Sequence, residues 1–323
     1  MFKNHKNIKN SITFVLKIFI TFLILYLIFL KIDFRNFSLV SSRISYFYIL
    51  LAFLVYFLQF LISTIKWQKL VEFFGVKLNF YFYLKFNFIS LFYATIMPGG
   101  LIAGDLIKGY KIFKISKDRK IIMNSILMDR MTGFLGLIIL IISLFFLFLR
   151  SLKFPNYPKM VLIAVFLLLL IIVFLIFSKK IINYLFKIVK RVFPKSEILL
   201  EKVSKTINTY SDNPALLIFA ILIGILIYLV NTICVYLTAM AIGINVSFIN
   251  ILAVNCLANF AVIVAPITFS GFGIREGSFI YFLSFAGVAK EPVLILSLVL
   301  GFIYLLLSLG GGLLEARTLF VKK

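Results

Sequence analysis

Histidine is nearly absent from this chain. It occurs once, as His5 in the N-terminal tail. Imidazole catalysis and histidine-held metals are therefore not expected. Cysteine is scarce too. Cys234 and Cys256 both sit inside apolar runs, where a small buried thiol is the ordinary reading, and no CxxC spacing or disulfide framework occurs. No GxxxxGK[ST] stretch is present, so no ATP-binding phosphate loop is expected. Acidic residues number 11 against 34 basic ones, and they form neither a metal-binding cluster nor a nucleophile–base pair. No cofactor is expected.

What the chain has in abundance is apolar surface. It is 63% hydrophobic with a mean hydropathy of +1.13, where soluble domains are about half apolar. Several runs reach the roughly 20 residues that cross a bilayer core. The fold class is an all-α polytopic membrane protein, a single integral membrane domain over 1–323. The net charge of +23 does not point to nucleic acid. Its basic residues gather between apolar runs, as in loops held over anionic lipid, and no DNA- or RNA-reading module accompanies them. The first run, Ser11–Leu30, is too long for a signal-peptide core and lacks an A-x-A site. It is expected to be the first span.

Full-length candidate spans are Ser11–Leu30, Ser45–Ile65, Ile121–Leu149, Met160–Phe177, Pro214–Ala241 and Pro292–Leu314. Two further runs are interrupted. Phe80–Met97 breaks at Pro98-Gly99-Gly100, and Phe248–Ala265 breaks at Pro266 within APITFSGFGIREGSFIYF. If both are re-entrant hairpins and the N-terminus is cytoplasmic, 24 of the 34 basic residues fall inside and eight outside. In that count 66–85 and 101–120 are cytoplasmic segments. Threading Phe80–Met97 as a full crossing moves the most basic loops outside and violates the positive-inside rule. Six crossings, two hairpins and cytoplasmic termini are therefore expected. The segment 179–212 reads as a basic amphipathic connector lying on the cytoplasmic membrane surface.

The two breaks resemble each other. Pro98 and Pro266 lie 168 residues apart, and each follows an asparagine 11 residues upstream, Asn87 or Asn255. Gly104, Asp105 and Lys108 follow the first break; Gly271, Gly273, Arg275 and Glu276 follow the second. Three crossings separate the hairpins, so they enter from opposite faces. Paired interrupted segments of this kind mark an inverted repeat with a midplane site. The repeats are expected over about 45–150 and 213–318.

Charges at membrane depth need explaining. Lys17 can snorkel to the interface. Asp105, Asp129, Arg130, Arg275 and Glu276 each cost roughly 2.5–3.5 kcal/mol if unpaired at mid-bilayer. Adjacent Asp129 and Arg130 point about 100° apart on a helix, so each is expected to find a partner elsewhere: a lipid phosphate for Arg130, or a structural ion pair with Asp105 or Glu276. At the second break, a half-helix start offers free N–H groups to an anion, with Ser270 as a possible cap and Arg275 and Glu276 in the first turn. Asn255 and Asn259, one turn apart, and Asn231 add amides, either for a ligand or for interhelical hydrogen bonds.

Three stretches in order, PGGLIAGDLIKGYKIFK, SILMDRMTGFLGL and SGFGIREGSFIYFLSFAGV, resemble the lysylphosphatidylglycerol synthase transmembrane (flippase-like) family over roughly 10–318. Asp129 stands where that family usually has Glu, and Lys108 where Arg is common. The resemblance implies a lipid-handling protein of the cytoplasmic membrane in a prokaryote, with membrane lipids as partners: an anionic phospholipid or a polyprenyl-phosphate lipid. The chain stops at Lys323, where the family's bifunctional members continue into an aminoacyl-transferase domain, so no aminoacyl transfer is expected. Three functions remain open: a lipid translocase, a lipid-binding accessory subunit, and an intramembrane enzyme using Asp105 and Glu276 as acid and base. The substrate-binding candidates are Asp105, Lys108, Asp129, Arg130, Arg275, Glu276, Asn255 and Asn259. The backbone hinges are Pro98, Gly99, Gly100, Gly104, Pro266, Gly271 and Gly273.

Overall fold

The computed structural model describes residues 44–97, 100–116, 119–151, 213–265 and 271–320, with isolated positions at 26 and 163. The described residues form eight helices and no strand. They are α1 Tyr46–Glu72, α2 Phe80–Ile96, α3 Leu101–Ser116, α4 Arg119–Ser151, α5 Pro214–Ile242, α6 Phe248–Val264, α7 Ile274–Ser284 and α8 Lys290–Phe320. Four stretches are long and apolar enough to cross a membrane: Tyr46–Glu72, Asn124–Phe145, Pro214–Ile242 and Lys290–Arg317. They match four of the six expected spans. Apart from Tyr26 and Ile163, the other two, Ser11–Leu30 and Met160–Phe177, lie outside the described residues, as do the connector 179–212 and Pro98, Gly99 and Pro266.

Both interrupted runs are helix–break–helix elements. The first limbs, α2 and α6, are 17 residues each, about 25 Å of rise against a hydrocarbon core of about 30 Å. The helices recur in order: lengths of 27, 17, 16 and 33 residues, then 29, 17, 11 and 31. α1 and α5 begin 168 residues apart, and so do α2 and α6.

Local chemistry sets the boundaries. α5 opens on Pro214, whose missing N–H is harmless in a first turn, while Asn213 Oδ1 accepts from Leu216 N at 3.2 Å. It closes at Gly243, φ 80°. There Gly243 N donates to Met240 O and Ile244 N to Ala239 O, the paired bonds of a left-handed helix stop. Ser247 caps α6 by accepting from Asn250 N at 3.3 Å.

The chain divides into two compact units, one drawn from Met1–Gln59, Leu84–Lys111 and Val230–Lys323, the other from Phe60–Tyr83 and Ile112–Leu229. In the first, α7 packs against α6 and α8. Gly104 lets α3 close on α2: a Cβ there would collide with Ser90 O and stand 2.9 Å from Ala94 Cβ. At Gly311 a Cβ would collide with Phe88 O, so α8 lies directly on the α2 backbone. Lys111 Nζ bonds both Glu315 oxygens, at 2.7 and 2.6 Å, joining α3 to α8. In the second unit, a Cβ on Gly136 of α4 would stand 2.9 Å from Ile225 N, and one on Gly224 of α5 2.9 Å from Thr132 O. Such small-residue crossings suit helices in lipid. Among its described residues, Leu70, Met128 and Ala220 form an apolar cluster.

α3 lies within 101–120, the stretch read from the sequence as a cytoplasmic segment, and its two faces differ. Leu101, Ile102, Leu106 and Tyr110 are exposed, whereas Asp105, Lys108 and Ile112 are buried. A helix with its apolar face outward and its charges inward suits contact with lipid. A window averaged over both faces hides that pattern.

Candidate functional site

Among the described residues, the second break gathers a polar constellation around α7. α7 begins at Gly273, φ 86°, a conformation that side chains with a Cβ resist. Gly271 before it is likewise positive, φ 78°. Together they turn the backbone into α7 with Arg275 and Glu276 in its first turn. Glu276, fully buried, reaches back to accept from Gly273 N at 2.5 Å. The N-cap is therefore Gly273; Ser270, the capping residue considered from the sequence, lies outside the described residues. At this helix start the Glu276 carboxylate takes the N–H of Gly273.

Glu276 Oε1 accepts from Arg275 Nη2 at 2.8 Å, Arg275 Nε at 3.3 Å and Ser297 Oγ at 3.0 Å. The guanidinium also donates from Nη2 to Ser297 O at 3.3 Å. Its Cζ lies 5.3 Å from the ring centres of both Phe272 and Tyr304, within cation–π range. Gly301 makes the room: a Cβ there would stand 3.1 Å from Arg275 Nη2. A buried charge pair is tolerable only when its remaining hydrogen-bonding capacity is met, and Glu276 is met on both oxygens.

Tyr304 leads onward. Its hydroxyl accepts from Asn231 Nδ2 at 3.4 Å, and its ring lies 4.4 Å from that of Tyr56. Asn231 Oδ1 accepts from Asn255 Nδ2 at 3.0 Å, which also reaches Thr232 Oγ1 at 2.9 Å. Asn259 Nδ2 donates to Asn255 Oδ1 at 2.9 Å. The structure thus joins Arg275, Glu276, Asn255 and Asn259, four sequence candidates, into one network through Asn231 and Tyr304.

The remaining candidates are placed as follows. Asp105 and Lys108 sit on the buried face of α3, 3.7 Å apart. Gly100 precedes α3 with φ 52°. Asp129 pairs with Lys66 of α1 at 3.1 Å, and Lys66 Nζ also donates to Asp129 O at 2.8 Å. Arg130, one residue on, is exposed.

Sequence reasoning missed Lys66, Gln59, Ser297 and Tyr304. Lys66 was counted in a cytoplasmic segment, yet it is 2% exposed because α1 continues to Glu72. Gln59, a lone amide in an apolar run, carried the same signal that exposed Asn231. Ser297 lies one turn before Gly301, a small-residue spacing that marks close approach. Tyr304 carried no signal among 15 tyrosines. Among the described residues, no three of His, Cys, Asp and Glu stand together as metal ligands.

Residues 14–312 match the family described as the lysylphosphatidylglycerol synthase TM region. No curated protein matches the chain.

Proposed function

Because the chain belongs to the lysylphosphatidylglycerol synthase transmembrane family, we propose that it binds the head group of an anionic or phosphate-bearing lipid and carries it across the cytoplasmic membrane. The observation that carries this reading is the Arg275–Glu276 pair, set at a backbone break and stacked on Phe272 and Tyr304. A guanidinium fork matches phosphate oxygens bidentately, and electrostatic attraction strengthens away from water. In the proposed cycle the lipid phosphate replaces Glu276 at Arg275 while the acyl tails stay in lipid. Asp105 and Lys108 are the corresponding head-group contacts at the first broken element, and Asp129 and Arg130 are separate candidate contacts in the other unit.

The recurring series of four helices and the shared 168-residue offset support an inverted repeat. The distribution of basic residues supports cytoplasmic termini. Two broken elements entering from opposite faces would give each leaflet its own opening, as alternating access requires. No catalytic residue is assigned, and the reading is of a transporter rather than an enzyme.

One observation favours a second reading, an accessory subunit that binds lipid without moving it. Glu276 already neutralises Arg275, so the pair is complete without a ligand.

Reconstitution into proteoliposomes separates the two. A short-chain fluorescent phosphatidylglycerol is followed by dithionite quenching. Transport predicts faster exchange than in protein-free vesicles, lost in an Arg275→Gln variant that stays monodisperse in detergent. Wild-type protein that retains the lipid on purification yet leaves exchange at background supports the accessory reading.

A further inference from the structure

The amides of the first unit form a directed chain. Asn259 Nδ2 donates to Asn255 Oδ1, Asn255 Nδ2 to Asn231 Oδ1, and Asn231 Nδ2 to Gln59 Oε1 at 3.1 Å. Each side chain gives its N–H to the next one's carbonyl. The direction is anchored by the backbone: Asn259 Nδ2 also donates to Asn255 O at 2.8 Å, and a main-chain carbonyl can only accept. With Asn259 so oriented, Asn255 must present its oxygen to Asn259 and its nitrogen to Asn231 and Thr232. Asn231 is then fixed in the same sense.

The two middle amides are sealed: Asn255 is 2% and Asn231 7% exposed. The two ends, Asn259 and Gln59, are partly exposed. The chain therefore has an acceptor end, Asn259 Oδ1, and a donor end, Gln59 Nε2. Hydrogen bonds in series polarise one another in a low dielectric, which makes the terminal carbonyl a better acceptor. Asn259 stands one turn before Ile263, which is exposed on α6 ahead of the second break. Among the described residues Asn259 Oδ1 accepts no hydrogen bond, it shares a helix face with the exposed Ile263, and the same chain reaches Arg275 through Asn231 and Tyr304.

Resting on the lipid-site reading above, we infer that Asn259 is a specificity-determining residue whose carbonyl selects head groups bearing a hydrogen-bond donor, a hydroxyl or an ammonium, over head groups with none. A head group without a donor would desolvate Asn259 Oδ1 without replacing its bond to water, and that loss sets the discrimination.

The test is native mass spectrometry of the purified full chain, offered equal amounts of phosphatidylglycerol, phosphatidylethanolamine and phosphatidylcholine with identical acyl chains. Phosphatidylcholine has a phosphate and no donor; the other two carry hydroxyl and ammonium donors and distinguish those sources. The expected result is a preference of about threefold to tenfold for one or both donor-bearing lipids, abolished in Asn259→Leu and kept in Asn259→Ser, which retains an oxygen acceptor. The Ser variant also guards against loss of fold in the Leu variant. Equal binding of all three lipids by wild type, or an unchanged preference in Asn259→Leu, overturns the inference and leaves the lipid site standing. Binding of none of the three overturns both.

Discussion

Lys66 grips Asp129 twice, through an ion pair with Oδ1 at 3.1 Å and a hydrogen bond to the main-chain carbonyl at 2.8 Å. The lysine therefore ties α1 to the α4 backbone as well as to its carboxylate. Removing one member takes an ion-pair partner from the other in a nearly dry site. Lys66→Met or Asp129→Leu alone should each destabilise by about 3–5 kcal/mol, and the double variant by less than either. A double-mutant cycle read from denaturation midpoints in mixed detergent micelles checks this. Additive losses would refute the coupling.

The first broken element closes on a glycine. Gly104→Val should separate α3 from Ser90 and Ala94 and cost about 1–3 kcal/mol, the usual range for overpacking. Gly277 on α7 meets nothing within 4 Å of an added Cβ, so Gly277→Ala should leave the detergent melting temperature unchanged or slightly raised. Comparing the two variants separates packing from helix propensity.

At the second break, Gly273→Ala forces a φ of 86° on a residue with a Cβ. A loss of about 1–3 kcal/mol is expected. Glu276→Gln should be more damaging than the Arg275→Gln/Glu276→Gln pair, because the single variant leaves a guanidinium without its counter-charge. Thermal unfolding of the three purified variants ranks them, and a single variant at least as stable as the double contradicts the geometry.

The threading can be tested from both sides. Lys114 and Lys290 are exposed, and the native thiols Cys234 and Cys256 are buried. In a background with both native cysteines replaced by alanine, Lys114→Cys should react with an impermeant maleimide only in inside-out vesicles, and Lys290→Cys only in right-side-out ones. Labelling of both from the same side would remove the proposed arrangement.

The parts legible in the sequence were those where a residue is rare for its surroundings. Asn231, Asn255 and Asn259 stand out in apolar runs, and Arg275-Glu276 stands out beside a broken backbone; all five fall in one network. What stayed hidden depended on which way a side chain faces. α3 has a charged buried face and an apolar exposed one, so its average resembles a loop. Lys66 sits where the apolar run ends, but the helix carries on for another six residues to Glu72. Ser297 and Tyr304 acquire their roles only when α7 docks on α8, a long-range event with no local pattern.

The cap on α7 has a kinetic consequence. Glu276 is covalently tethered beside the cation it neutralises, so it competes at a high effective concentration with any anion arriving from outside. An incoming anion's apparent affinity is reduced by the fraction of time the carboxylate is away. At the proposed lipid site such a resident competitor would lower the apparent affinity, and Arg275 would return to Glu276 when the lipid leaves.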